Sequence, residues 1–150
     1  MGGSADLRIA PSGVRVFTVE EADRLLAGIE AIIREMDPLI PRLRDLRELI
    51  EDLEQYHGED LADADEADRE RHRGMWEEAQ AITESFNRDV ARINALGCLV
   101  KDVTTGLVDF HGIVDGELVF LCWRRGEPRI AYYHPLTTGF SGRKPLPPSS

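Results

Sequence analysis

The sequence predicts an α+β protein, a long kinked antiparallel helical hairpin followed by a small antiparallel β-sheet. Three observations carry that reading. An apolar stripe with a three/four spacing runs from Ala22 to Leu53 and a second from Met75 to Leu96. After Gly97 the apolar period shortens to two, with turn residues every few positions. The charge divides at the same place: residues 19–96 carry 22 acidic and 10 basic side chains, residues 97–150 carry 5 and 6, within a net charge of −10.

The elements follow in order. Residues 1–14, rich in Gly, Ser and Pro, are expected to be a flexible tail. Thr18 and Glu21 have the spacing of a capping box, in which hydroxyl and carboxylate each accept a free backbone N–H at a helix start. The first stripe continues in phase through Pro38 and Pro41. It therefore predicts one bent arm, about 36 residues and roughly 54 Å long if straight, with Asp37 capping a restart at Pro38. Residues 57–70 lose the stripe and become an acidic, solvated connection, and a second long helix then ends at Gly97, a left-handed cap. Cys98–Val103 and Leu107–Phe110 read as short strands about the Thr104–Gly106 turn. Asp115-Gly116 reads as a tight hairpin between Ile113-Val114 and Glu117–Arg124, and Arg129–His134 as the last strand. The remainder from Pro135 should wrap the surface, anchored by Leu136 and Phe140, and 147–150 should fray. The expected organisation is a single domain over 15–146, with the hairpin in 15–96 and the β-region in 97–146.

Composition excludes several classes. No apolar run approaches the roughly 18 residues of a membrane span, and residues 1–6 have neither the basic nor the apolar region of a secretory signal. Two cysteines, Cys98 and Cys122, make no disulfide framework and fit a reducing, cytoplasmic compartment. The acidic helices argue against nucleic acid and anionic membrane as partners, since both need clustered cations. The first stripe, with paired positions such as Leu25-Leu26 and Ile32-Ile33, is wider than one facing helix covers, so a homodimer is expected.

The chemistry-bearing residues are few. Asp60, Asp63, Asp65, Glu66 and Asp68 lack the glycine and distal glutamate of a calcium loop and read as a solvated helical face. His57 and His72 read as surface histidines, and Cys98 and Cys122 as core residues of apolar strands. No phosphate loop, nucleophile elbow or His-Glu-x-x-His helix occurs.

What remains lies in the β-half. Asp109 interrupts an apolar strand and, if buried, needs a partner. Asp109, Glu127 and His134 form a candidate metal set whose two carboxylates and imidazole suit a divalent transition metal, iron or manganese over structural zinc. Trp123, Arg124, Tyr132 and Arg143 are candidate ligand-binding neighbours, Trp123 as an apolar wall. The alternative makes Asp109 the partner of Arg124 or Arg143 in a structural ion pair, with His134 capping a loop carbonyl. The functional reading is a homodimeric binding module with a metal or small-molecule site. A metal-dependent enzyme using the same three residues and a purely structural protein are the alternatives.

A set of phrases also resembles a known family: Phe17-Thr18, Glu20-Glu21-Ala22, Leu99-Val-Lys-Asp102, Gly106-Leu-Val-Asp-Phe110, Leu121-Cys-Trp-Arg124, Gly126-Glu127, Tyr133-His134 and Gly139-Phe-Ser-Gly-Arg143. In that order they resemble the bacterial family catalogued as domain of unknown function 2203, over roughly residues 15–146. The resemblance implies a fold and the location of a site, and no reaction.

Overall fold

The structure, a computed structural model, describes residues 14–58 and 61–148. The expected tail before Val14, Asp60 in the acidic run, and residues 149–150 lie outside them. Among the described residues the helices are α1 (Val19–Met36), α2 (Leu39–His57) and α3 (Glu66–Asn94). They precede strands β1 (Leu99–Asp102), β2 (Leu107–Val114), β3 (Glu117–Arg124), β4 (Tyr132–Pro135) and β5 (Lys144–Pro145). The strands form one antiparallel sheet in sequence order, so the fold is α+β.

The helix starts obey local chemistry. Thr18 donates its N–H to Glu21 Oε1 at 2.8 Å, and Glu21 donates its own to Thr18 Oγ1 at 3.1 Å, closing the capping box. At Asp37–Pro38 the arm restarts as expected, with Pro38 rather than Asp37 at the capping position. Pro41 then falls in the first turn of α2, where an N–H has no intrahelical acceptor, so its ring displaces no hydrogen bond. The acidic run begins α3: Asp65 Oδ1 accepts the Asp68 N–H at 2.8 Å.

The chain divides into two compact units. The helical unit, residues 34–89, has two small apolar clusters. Leu43, Leu46 and Ile82 form one with Leu39, Met75, Ala79 and Phe86 against them; Leu53, Leu61 and Ala64 form the other, also against Met75. Two cross-links flank the second cluster, His57 Nε2 to Asp68 and His72 Nε2 to Glu54, each 2.9 Å. These histidines are therefore half-buried partners of carboxylates, not the free surface groups expected.

The β-unit, residues 14–33 with 90–148, carries the sheet. Asp115 (φ 52°) and Gly116 (φ 80°) make the two-residue turn between β2 and β3, both in the left-handed region that such a hairpin requires. β2 is one unbroken strand of eight residues, where the sequence suggests two pieces. Gly112 sits in the middle because a Cβ there would lie 2.7 Å from Leu121, so the missing side chain is what lets β2 and its neighbour pack. The last long strand is shorter than expected, and the C-terminal segment instead adds β5.

One face of the sheet (Val108, Phe110, Val114, Val119, Leu121 and Trp123) is buried. Phe17 meets Phe110 edge to face at 5.2 Å between ring centres. Helix α1 is tied to the same unit by Asp23, which accepts the Ile130 N–H at 2.7 Å, and by Glu30, 2.6 Å from Arg125 Nε. The opposite face holds the polar residues of interest.

Candidate metal centre

The hairpin turn sets the register of this face. Counting six residues outward from each side of the turn pairs Asp109 on β2 with Cys122 on β3, and β3 in turn places Cys122 opposite Tyr132 and Phe120 opposite His134 on β4. Alternation then puts Asp109, Phe120, Cys122, Tyr132 and His134 on one side. Asp109 is 3% and His134 2% exposed, and Cys122 is buried between them.

The three converge. His134 Nε2 lies 3.0 Å from Asp109 Oδ2, and one donor atom from each of Asp109, Cys122 and His134 fall within 4.8 Å of one another. His134 Nδ1 faces the carbonyl of Pro135 at 2.9 Å, which needs a proton on Nδ1 and leaves Nε2 as the nitrogen directed at the carboxylate. A hydrogen bond at Nε2 then requires one further proton, held on the carboxyl or on an imidazolium. Burial holds the Asp109 carboxyl above its ordinary value, against the pull of His134 and Lys101. Burial and the neighbouring Asp109 push the Cys122 thiol up to about 12. Burial therefore disfavours the charged forms of the Asp109 carboxyl and the Cys122 thiol alike.

The cluster opens into a pocket of about 180 Å³ whose lining includes Lys101, Leu107, Phe120, Leu136, Thr138 and Phe140 besides the three donors. Leu136 and Phe140 are exposed at its lining rather than buried as surface anchors.

The predicted site residues separate accordingly. Asp109 and His134 come together; Glu127 stands outside the group. As a turn residue, Glu127 accepts the Arg124 N–H at 2.7 Å and pairs with Arg143. Trp123 is no wall of this pocket, because alternation puts it on the other face, where its indole N–H donates to the Glu127 carbonyl at 2.9 Å. Arg143 lies over Tyr132 (3.9 Å) and Phe140 (4.5 Å), and the exposed Arg124 is 5.8 Å from the Phe140 ring centre. Neither arginine neutralises Asp109, whose partner is His134. His134 does cap a loop carbonyl, and with its other nitrogen it also meets the carboxylate.

Over residues 15–146 the chain matches the profile of the family described as "Uncharacterized conserved protein (DUF2203)". It belongs to that family. No curated protein and no solved structure matches. For this DUF2203 chain the matched segment spans Asp109, Cys122 and His134, and its description assigns them no activity. Cys122 is the residue that sequence reasoning missed. The signal was present, since a two-residue turn at Asp115-Gly116 dictates the Asp109–Cys122 pairing by counting alone.

Proposed function

We propose that this protein is a metal-binding module whose centre is Asp109, Cys122 and His134. The observation that supports it is the convergence of three buried donors of different type, oxygen, sulfur and nitrogen, within 4.8 Å beside a pocket. Three protein ligands with an open fourth position is the arrangement of reactive zinc sites, and the Nδ1 contact to a backbone carbonyl is the usual outer support of a ligating imidazole. A thiolate in place of the second carboxylate shifts the preference from iron or manganese toward zinc.

The test is titration of metal-free protein with Zn²⁺ and with Co²⁺. One equivalent should bind, and the cobalt form should show a thiolate-to-metal charge-transfer band that Cys122→Ser abolishes. A protein that takes up neither ion at micromolar concentration sinks the reading.

A second observation favours assembly. The helical unit exposes Leu49, Tyr56 and Trp76, and large apolar side chains at a surface are what a partner covers. We place a second copy there, making a homodimer, and light scattering at micromolar concentration should return twice the 16.8 kDa chain mass. A stable monomer overturns this assignment. No described helix is long and apolar enough to cross a membrane. The two buried free thiols and the acidic charge support a cytoplasmic protein with no nucleic-acid partner.

A further inference from the structure

We infer that the open side of the centre takes a small monoanion, a carboxylate with a short apolar tail, and that Lys101 is the residue that selects its charge. The inference rests on the metal reading above and adds the ligand.

Lys101 occupies a bulge. In the β1–β2 ladder Val100 pairs with Val108 and Asp102 with Leu107, leaving Lys101 as the extra residue. A bulge re-aims a side chain, and Asp102 closes the turn after it by accepting the N–H groups of Thr104 and Thr105 at 2.8 and 3.3 Å. The ammonium lies 4.9 Å from the centre of the Phe120 ring, and Lys101 lines the same pocket as the three donors. Among the described residues no carboxylate forms an ion pair with it.

Charge then selects the ligand. A divalent cation held by the Asp109 carboxylate, the Cys122 thiolate and a neutral His134 is a neutral group. Lys101 leaves the lined space with one positive charge, which an anion at the fourth metal position offsets. Lys101 acts as a point charge rather than a bidentate fork, so it suits a single carboxylate.

The walls and size complete the description. Leu107, Phe120, Leu136 and Phe140 line the space, and Leu136 and Phe140 are 43% and 39% exposed, apolar surface that a tail would cover. The volume is about 180 Å³. It lies below the roughly 300–1,000 Å³ of pockets for drug-sized ligands. A chain of a few carbons fits it.

The experiment uses the full chain loaded with Co²⁺ and three probes, acetate, butyrate and the neutral butyramide, read by the visible cobalt bands and by calorimetry. Butyrate should perturb the bands and bind more tightly than acetate, and butyramide should leave the bands unchanged. Lys101→Met should weaken butyrate at least tenfold without weakening cobalt binding, since it removes a cation from beside the metal, and Lys101→Arg should restore part of the loss. Equal binding of butyrate and butyramide, or of butyrate to wild type and Lys101→Met, overturns the inference. Cobalt-loaded protein that ignores butyrate overturns it alone. Failure to bind cobalt removes the metal reading with it, and the first titration tells the two failures apart.

Discussion

Among the described residues three histidine–carboxylate pairs occur at nearly the same distance in two regions of this molecule, and they are not equivalent. In the helical unit His57–Asp68 and His72–Glu54 sit at 2.9 Å, with carboxylates about one-third exposed. In the β-unit His134–Asp109 sits at 3.0 Å with both side chains almost wholly buried. Distance alone therefore does not make a site. The helical pairs are part-exposed and, among the described residues, no third donor joins them, so they act as cross-links between α2 and α3. The β-unit pair has lost its water, gained a thiol within reach, and kept one open side.

That contrast is open to a direct break, beginning with the largest effect. Asp109→Ala should destabilise the metal-free protein by about 3 kcal/mol, because it strands a buried imidazole nitrogen, and should abolish metal binding. Asp109→Asn separates the two roles. Its amide can still donate to Nε2, so most of the stability should return in urea denaturation while metal affinity stays lost. A variant that keeps wild-type metal affinity would show that the pair is only structural.

Protons sharpen the comparison next. Metal binding must displace the Cys122 proton, and burial of Asp109 favours a protonated carboxyl that the metal must also displace. Affinity should accordingly rise with pH, up to about a hundredfold per unit where both protons leave. Calorimetry in buffers of different ionisation enthalpy should count at least one proton released, the Cys122 one, with a larger count at lower pH. Metal-free stability should run the other way. Because burial raises the folded-state value of Asp109, its contribution is complete below the ordinary carboxylate value of about 4 and fades as pH rises through the folded one. Asp109→Asn should flatten that slope in denaturation curves taken across the range.

Packing gives an intermediate effect. Gly112→Ala drives a methyl into Leu121 at 2.7 Å and should lose about 1–3 kcal/mol, since both residues lie on paired strands with little room to move. Thermal unfolding would measure it, and a neutral result would show that Leu121 can re-rotate. The smallest effect is expected in the helical unit. Glu54→Gln or Asp68→Asn should change stability by no more than about 1 kcal/mol and leave metal binding untouched. A loss as large as that of Asp109→Ala would mean that the helical pairs are more than cross-links.

Much of the fold was legible in the chain because its signals are local. The Thr18–Glu21 box, the left-handed Gly97 and the Asp115-Gly116 turn each involve residues within a few positions of one another, and each forms as the residue types dictate. The same locality determines half of the site. A two-residue turn leaves no freedom in how β2 and β3 pair, so Asp109 opposite Cys122 follows from the sequence by counting. The other half is decided by tertiary structure. Seven residues separate β3 from β4 and admit several registers; packing chooses the one that sets Phe120 against His134 and brings the imidazole diagonally onto Asp109. Glu127 looked like a ligand because it is acidic and near in sequence, yet closing that turn and pairing with Arg143 engage both its carboxylate oxygens. A carboxylate's chemistry is written in the chain, but whether it meets a backbone amide, an arginine or an imidazole depends on which strands become neighbours.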